Sequence, residues 1–295
     1  MTADSTAATG TSQVEKGARS ANADRAPSPS EGAQQDAEPA SDQLLSLRGV
    51  SKHFGPVSAL DGVNLDIPAG QVTALVGDNG AGKSTLIKTI AGIHAADQGE
   101  ILWNGTPVQI RTPHDATNLG IATVYQDLAL CDNLDIVANM FLGTEINHLG
   151  VLSETPMELK AHETLSSLSV TTVRSIRQPV GSLSGGQRQA VAVARAVMGD
   201  AKLVIMDEPT AALGVSQTAM VIDLISRLAS SGIAVLVISH NLVDVFEVAD
   251  RIAVLYLGRL AATGPASDYD RQSIVEIMTT GTESRRENGA SEGKD

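Results

Sequence analysis

The chain has 295 residues, of which 42% are hydrophobic and only 2% aromatic, and it carries a formal net charge of −13. The acidic balance argues against a nucleic-acid partner, because phosphate contacts require clustered Lys and Arg. The single cysteine, Cys131, excludes an internal disulfide and a cysteine-based metal cluster. The longest apolar runs, 233–238 and 252–257, are far shorter than the roughly 20 residues of a membrane-spanning helix.

The two ends of the chain lack the apolar periodicity of a folded domain. Residues 1–43 are rich in Ala, Ser and acidic side chains, and residues 281–295 have a similarly polar composition. Such segments cannot bury enough apolar surface to offset the entropy lost on ordering, so we predict disorder for both. The N-terminus also lacks the apolar stretch of a signal peptide, which predicts a cytoplasmic protein. The folded domain is expected to span residues 44–280.

The beginning of this domain alternates short apolar runs with tight turns. These runs predict strands at 44–50, 63–67 and 72–76, and we expect an antiparallel β subdomain at the N-terminus. The third run, "VTALV", leads directly into a glycine-rich loop and a helix that begins near Lys83.

The rest of the domain combines buried strands with helices. Apolar runs predict parallel strands at 120–125, 202–206 and 233–238, followed by a hairpin at 251–264 that turns at Leu257 and Gly258. The alternation of strands and helices predicts an α/β fold with a parallel sheet.

Residues 127–200 have a mostly helical pattern, which predicts a helical insertion subdomain. One helix start is marked by Thr155 and Glu158, a capping-box pair, with Pro156 at the first helical position.

The segment "GDNGAGKS" at 77–84 matches the phosphate-loop pattern G-x-x-x-x-G-K-[ST]. Its glycines allow successive backbone N–H groups to point at one anion, and the following helix adds the positive end of its dipole. Lys83 is expected to neutralise the β- and γ-phosphates and Ser84 to bind Mg²⁺. The context indicates a P-loop NTPase core, with predicted nucleotide-binding residues Gly77, Asp78, Asn79, Gly80, Ala81, Gly82, Lys83, Ser84 and Thr85.

Polar side chains follow the later strands at the edge of the predicted sheet. Asp207 and Glu208 end the apolar run of 202–206, where Asp207 could hold Mg²⁺ and Glu208 could orient or deprotonate an attacking water. Gln126 follows the strand at 120–125, and its amide could reach the metal or the water. His240 follows the strand at 233–238, at the edge where ligands of open α/β sheets bind, so we expect it to contact the γ-phosphate.

A second glycine-rich stretch, "SLSGGQRQ", lies at 182–189. Ser184, Gly185 and Gly186 precede a predicted helix, so their N–H groups and the helix dipole predict a second anion site. Together with the preceding motifs, in this order, the stretch "LSGGQ" resembles the signature of the ABC (ATP-binding cassette) ATPase family. The resemblance covers residues 44–280 and adds Gln187 to the predicted ATP-binding residues.

The resemblance implies roles for the motif residues. Residues 77–85 resemble the Walker A loop, and Gln126 resembles the glutamine of the Q-loop. Asp207 and Glu208 resemble the Walker B aspartate and the catalytic glutamate that follows it. His240 resembles the switch histidine.

Two further positions follow from the resemblance. Phe54, in "SKHFG", holds the position of the aromatic residue that stacks on adenine. The alternative interpretation is that Phe54 packs in the hydrophobic core. Gly214 departs from the family pattern, because many members have an aspartate there, in the D-loop. The departure weakens any role for a D-loop aspartate in coupling two sites.

Within the family, segments 124–143 and 208–215 are most similar to importers of monosaccharides of the ribose, xylose and fructose type. The chain has one Walker A loop and one signature, as in the single-cassette members. The resemblance implies a homodimer in which ATP, with Mg²⁺, lies between the Walker A loop of one chain and the signature of the other. ATP would close this dimer, and hydrolysis would open it.

The resemblance also implies further partners. Membrane permease subunits would place their cytoplasmic loops against residues 127–180, and a sugar-binding protein would be an indirect partner. The chain would then be cytoplasmic and peripheral on the inner face of the cell membrane. No nucleic-acid partner is expected.

Three alternatives remain open at this stage. The chain could energise transport of another solute, such as an amino acid, nucleoside, lipid or drug. It could be a non-transport ABC ATPase that acts on ribosomes or DNA, although it has neither a second cassette nor a coiled-coil insertion. It could be a regulatory module without turnover, a reading that predicts the loss of Glu208 or His240, and both are present.

Overall fold

The computed structural model describes residues 43–170 and 173–282. Within these ranges the strands are β1 (Gln43–Phe54), β2 (Val57–Pro68), β3 (Val72–Val76), β4 (Gln98–Trp103), β5 (Thr106–Val108), β6 (Ile121–Val124), β7 (Asn147–His148), β8 (Val151–Leu152), β9 (Leu203–Asp207), β10 (Ala234–Ile238), β11 (Arg251–Tyr256) and β12 (Arg259–Pro265). The helices are α1 (Lys83–Ile90), α2 (Pro113–Asn118), α3 (Ile136–Phe141), α4 (Glu154–Ser167), α5 (Gly185–Val197), α6 (Val215–Ser230), α7 (Leu242–Val248) and α8 (Arg271–Thr280).

A six-stranded sheet forms the centre of the fold, in the order β12-β11-β3-β10-β9-β6. Its strands pair in parallel except for β12, which returns antiparallel to β11 through a turn at Leu257 and Gly258. A four-stranded antiparallel sheet, in the order β2-β1-β4-β5, is built mainly from the N-terminal part of the described chain. The predicted α/β fold and the predicted hairpin at 251–264 are therefore confirmed.

The central strands read as continuous apolar runs because both faces of the sheet are covered. In β9, Val204 and Met206 pack into a cluster with helices α3 to α6. The alternate residues, Leu203 and Ile205, pack into a second cluster with α1 and the antiparallel sheet. This alternation places the helical insertion on one face of the sheet and the antiparallel subdomain on the other.

Some elements differ from the sequence-based expectation. Strands β1 and β2 are each twelve residues long, and β4, β5 and the β7–β8 hairpin had no counterpart among the predicted strands. In β4 only Ile101 is buried, so its sequence carries no alternating apolar pattern. The predicted tails lie outside the described residues, apart from Gln43, which begins β1, and residues 281–282.

The predicted helix start at Thr155 is wrong. Helix α4 begins at Glu154, and Ser153 is its N-cap residue, without a side-chain cap hydrogen bond. Strand β8 ends at Leu152, so the chain enters the helix directly from the hairpin and leaves no room for a later start. Pro156 is tolerated within the first turn because N–H groups there have no intrahelical acceptor.

Across the described residues, no helix combines the length and apolar character needed to cross a bilayer.

A buried asparagine holds the segment that leads into α3. Asn139 is fully buried, and its side-chain oxygen accepts a hydrogen bond from the Cys131 N–H at 2.7 Å. Its amide nitrogen lies 3.0, 3.2 and 2.9 Å from the carbonyl oxygens of Cys131, Leu134 and Asp135, so one of its two hydrogens is shared between two acceptors. One side chain therefore satisfies four backbone groups of a loop that has no regular secondary structure.

We predict that Asn139→Leu lowers the free energy of unfolding by about 3 kcal/mol, because the replacement leaves buried backbone groups without partners. Urea denaturation followed by circular dichroism measures the change. The matched control is Asn147→Leu on the exposed strand β7, which should change stability by less than about 0.5 kcal/mol. Equal effects of the two substitutions would contradict the role given to Asn139.

Candidate functional site

The phosphate loop lies between β3 and α1, as its sequence predicts. Gly82 is the N-cap residue of α1 and has φ 106°, and a Cβ there would lie 2.7 Å from the Ala59 carbonyl oxygen. Only glycine fits such a close approach in this conformation. The Lys83 ammonium donates to the carbonyl oxygens of Gly77 at 2.6 Å and Asp78 at 3.0 Å, so these two residues hold the lysine against the loop.

The acidic pair lies at the end of β9. The Glu208 N–H donates to the Ile238 carbonyl oxygen at 2.9 Å, which ties the pair to neighbouring strand β10. Glu208 has φ 51°, a left-handed conformation that is uncommon outside glycine. Its carboxylate lies 2.8 Å from His240 Nδ1. The Glu208 side chain is 17% exposed and that of His240 is 72% exposed, so a mostly buried carboxylate is in contact with an exposed imidazole.

The structure brings most of the predicted residues to one cleft of about 560 Å³. This phosphate cleft is lined by the loop and by the residues predicted to handle metal and water, namely Asn79, Gly80, Ala81, Gly82, Lys83, Ser84, Thr85, Gln126, Asp207 and Glu208. Gly77 and Asp78 contribute through their contacts with Lys83, and His240 through its contact with Glu208. Four separate loops therefore contribute to one site.

The charges in the phosphate cleft are incompletely balanced. Burial lowers the pKa of Lys83, although the nearby Glu208, Asp78 and Asp207 charges oppose this shift. Burial, together with the Glu208 charge, raises the pKa of Asp207. An opposite charge would stabilise the charged form of each residue: a phosphate would do so for Lys83 and a cation for Asp207.

The donor set fits Mg²⁺ bound together with a nucleotide. No cluster of three or more His, Cys, Asp or Glu suitable for a metal occurs in the described ranges. Mg²⁺ commonly binds through one or two protein ligands, substrate phosphates and waters. Ser84, Gln126 and Asp207, the residues predicted to hold the metal, all line the phosphate cleft and supply hydroxyl, amide and carboxylate oxygens.

The signature stretch begins helix α5. Ser184 is the N-cap residue and forms a capping box with Gln187: the Ser184 hydroxyl accepts from the Gln187 N–H, and the Gln187 side chain accepts from the Ser184 N–H. The helix therefore starts at Gly185, two residues earlier than the expectation that both glycines precede it. Among the described residues that line the phosphate cleft, none belongs to Ser184–Gln187.

The two signature glycines have a packing role that the sequence reasoning missed. A Cβ on Gly185 would lie 2.7 Å from Leu213 Cδ2, and a Cβ on Gly186 would lie 3.2 Å from the side chains of Gln217 and Met220. Glycine therefore allows the start of α5 to pack closely against α6 and the loop before it. No local sequence signal could have shown this, because the contact depends on how the two helices pack.

Phe54 is placed beside the phosphate cleft and is not one of its lining residues. Its side chain is 45% exposed, its ring meets the His94 ring edge-on at 5.1 Å, and the Lys52 ammonium lies 5.7 Å from the ring centre. Val57, its partner across the β1–β2 pair, does line the cleft. Adenine stacking by Phe54 stays a prediction.

The sequence reasoning also missed residues on the far wall of the phosphate cleft. Ser58, Ala59, Leu257 and Gly258 line it together with the phosphate loop. The Gly258 N–H donates to the Ala81 carbonyl oxygen at 2.8 Å, which joins the β11–β12 turn to the loop. The turn itself was predictable, but its contact with a loop about 180 residues away depends on the pairing of β11 with β3.

Known proteins share this fold and these motifs. Residues 60–211 match the ABC transporter family. The fructose import ATP-binding protein of Rhizobium meliloti is 46% identical over 84% of this chain and 98% of that protein. The xylose/arabinose import ATP-binding protein of Sulfolobus acidocaldarius is 47% identical over 80% of this chain and 94% of that protein. A solved dimeric structure of a bacterial ABC transporter cassette matches with a TM-score of 0.64 at 26% identity, over 75% of this chain and 98% of that one.

The cleft and the sheet around it define a P-loop ATPase. The chain belongs to the ABC transporter family, as one of its ATP-binding cassettes. The resemblance inferred from the motifs is therefore confirmed, whereas the individual residue roles stay predictions.

We predict that Asp207→Asn stabilises the protein in the absence of nucleotide and Mg²⁺. The raised pKa of Asp207 means that its charged form destabilises the folded state at neutral pH, and asparagine removes that penalty. The urea midpoint of the variant should exceed that of the wild type at pH 8. The difference should shrink as the pH falls and should vanish well below about 4, where the carboxyl is protonated in the unfolded chain as well.

Asp200→Asn, at an exposed position, is the matched control and should leave the urea midpoint unchanged across this pH range. A difference between Asp207→Asn and wild type that stays constant with pH would show that charge at Asp207 is not its cause.

Proposed function

We propose that the chain hydrolyses ATP to power a membrane importer of a monosaccharide. The observation that carries this proposal is the convergence of Lys83, Ser84, Gln126, Asp207 and Glu208 on one cleft in a cassette of this family. The similarity to fructose and xylose/arabinose import proteins supports a sugar as the transported solute, because this chain covers nearly the whole of each.

The chemistry follows from the positions of the side chains. The phosphate loop and Lys83 would bind the β- and γ-phosphates, and Ser84, Asp207 and Gln126 would hold Mg²⁺, which would neutralise phosphate charge. Glu208 orients and deprotonates the attacking water. His240 contacts the Glu208 carboxylate at 2.8 Å through Nδ1 and so orients it. The other ring nitrogen of His240 would contact the γ-phosphate.

We expect the active unit to be a homodimer. The phosphate cleft contains no residue of the signature within the described ranges, and the N–H groups of Gly185 and Gly186 take no part in the capping box, so they could bind a nucleotide held by a second chain. Each chain carries both a phosphate loop and a signature, so two equivalent sites would form. The likeness to a dimeric cassette structure supports this arrangement.

The Glu208→Gln variant tests the catalytic and dimer proposals together. We predict that ATP hydrolysis falls at least about 100-fold, because the amide cannot accept the proton of the water, and that ATP now holds a stable dimer. Phosphate release and sedimentation velocity measure the two effects. Adding Ser184→Arg to this variant should return it to a monomer that still binds ATP. A Glu208→Gln chain that stays monomeric at saturating ATP would refute the shared site.

A groove beside Gln126 supports the permease as partner. This groove, of about 290 Å³, is lined by Thr123, Tyr125 and 127–129 on one side and by residues of α5 on the other. The chain neighbours of Gln126 on both sides line it, so a bound permease loop would press on the segment that carries this glutamine. The groove lies within or next to residues 127–180, the predicted contact region.

The β7–β8 hairpin offers a second apolar surface in the same region. Leu149, Val151 and Leu152 are 93%, 70% and 54% exposed, which is unusual for such side chains. Glu145 and Glu154 flank the hairpin and are exposed. The Glu154 carboxylate is paired with Arg177 at 2.6 Å, so the exposed apolar side chains, more than the acidic ones, would provide the contact with a permease loop. The chain would then act at the inner face of the membrane, with a sugar-binding protein as an indirect partner.

Uptake of labelled monosaccharides by cells that lack this chain tests the transported solute. We predict loss of uptake for one sugar, with recovery by the wild type and by the exposed control Glu163→Gln, but with less than about 5% recovery by Glu208→Gln, because import depends on turnover. Normal uptake of every sugar in the deficient cells would refute monosaccharide import and favour another solute. The ATPase assignment rests on the hydrolysis assay and would stand.

A further inference from the structure

A second side-chain contact joins the two loops that carry Glu208 and His240. The Thr210 hydroxyl donates to the Asp244 carboxylate at 2.6 Å. Asp244 is only 7% exposed, although it lies in the first turn of a short helix, α7. Thr210 follows Glu208 by two residues, and Asp244 follows His240 by four. Burial of a carboxylate costs free energy, and the short hydroxyl contact offsets part of that cost.

The position of this contact follows from the register of the sheet. Strands β9 and β10 are parallel, with Asp207 opposite Ile238, so their following loops leave the same edge side by side. The first link between the loops is the hydrogen bond from the Glu208 N–H to Ile238, and the second is the contact of Glu208 with His240. The Thr210–Asp244 contact is the third and lies farthest along both loops.

The loop after β9 needs such support because its backbone is strained. Glu208 and Ala212 both have positive φ, 51° and 60°, in a segment that also carries Thr210. Non-glycine residues keep these conformations only where the surroundings enforce them. The loop after β10 is fixed by its own hydrogen bonds, since Asn241 accepts from the Val243 N–H and Ser239 accepts from the Asn241 N–H. The second loop is therefore the rigid partner, and Thr210 fastens the strained loop to it.

We propose that Thr210 and Asp244 form a positioning pair that sets the separation of the two loops and so keeps His240 within hydrogen-bond distance of Glu208. Neither residue lines the phosphate cleft, so the pair acts through Glu208 and His240 and does not touch the nucleotide. The inference rests on the proposed ATP hydrolysis. Loss of the Thr210–Asp244 contact would reduce turnover and leave ATP binding intact, because the phosphate loop is held by separate contacts.

Thr210→Val tests the pair, because it keeps the shape of the side chain and removes only the hydroxyl. We expect kcat for ATP hydrolysis to fall about ten-fold, as for a small misplacement of a catalytic group, while the Kd for ATP changes less than about two-fold. Asp244→Leu should have the same effect. Thr210→Ser and Asp244→Asn, which keep a hydroxyl donor and an oxygen acceptor, should retain most of the wild-type kcat. Thr164→Val, which removes a hydroxyl bonded to the Lys160 carbonyl oxygen on α4, is the matched control.

A double substitution separates positioning from general destabilisation. If Thr210 acts through the histidine, adding Thr210→Val to His240→Ala should lower the residual rate by less than about two-fold, measured by release of radiolabelled phosphate. A further ten-fold loss would overturn the proposal, and so would an unchanged kcat in Thr210→Val. A wild-type chain that does not hydrolyse ATP would instead refute the proposed function, so the two failures are distinguishable.

Discussion

The parallel register of β3, β10, β9 and β6 is the constraint on which the site depends. Ile238 of β10 lies opposite both Leu75 of β3 and Asp207 of β9, so the strands end at one edge. The phosphate loop, the acidic pair and the loops of Gln126 and His240 all leave from that edge. Because side chains in both apolar clusters fix the strands, a slip by one residue would turn every buried side chain to the wrong face and would separate the residues proposed for catalysis.

Local motifs of the sequence predicted the phosphate loop, the acidic pair and the apolar strands, since each depends on residues within one turn or one strand. The other features depend on long-range packing. The contact of Gly258 with Ala81 and the close approach of Gly185 to Leu213 join segments whose proximity the sequence does not state. The hydrogen bonds of Asn139 are local, but they belong to an irregular loop whose path no sequence pattern predicts. Helix α4 was misplaced for a different reason: two good N-cap residues lie two positions apart, and the preceding hairpin decides between them.

The charges of the phosphate cleft explain why nucleotide and partner chain would act together. The pKa of Lys83 is lowered and that of Asp207 is raised, both mainly by burial, so each carries its charge at a cost before a ligand arrives. A bound Mg²⁺–nucleotide would supply the opposite charge to both, and the binding free energy gained would be available to stabilise the closed dimer. Hydrolysis would divide the negative charge between two products. It would thereby weaken the interactions with Lys83 and with the cation, which would favour opening of the dimer.

The segment around Gln126 is where these sites come together. Gln126 lines the phosphate cleft and also the neighbouring cleft that contains Gly185, while its chain neighbours line the groove proposed for the permease. The far end of this segment is held by Asn139 through Cys131. Gln126 itself follows strand β6 by two residues, so the segment between β6 and Asn139 is held at both ends. Pressure from a permease loop on its middle would therefore act on Gln126 and, through it, on the phosphates.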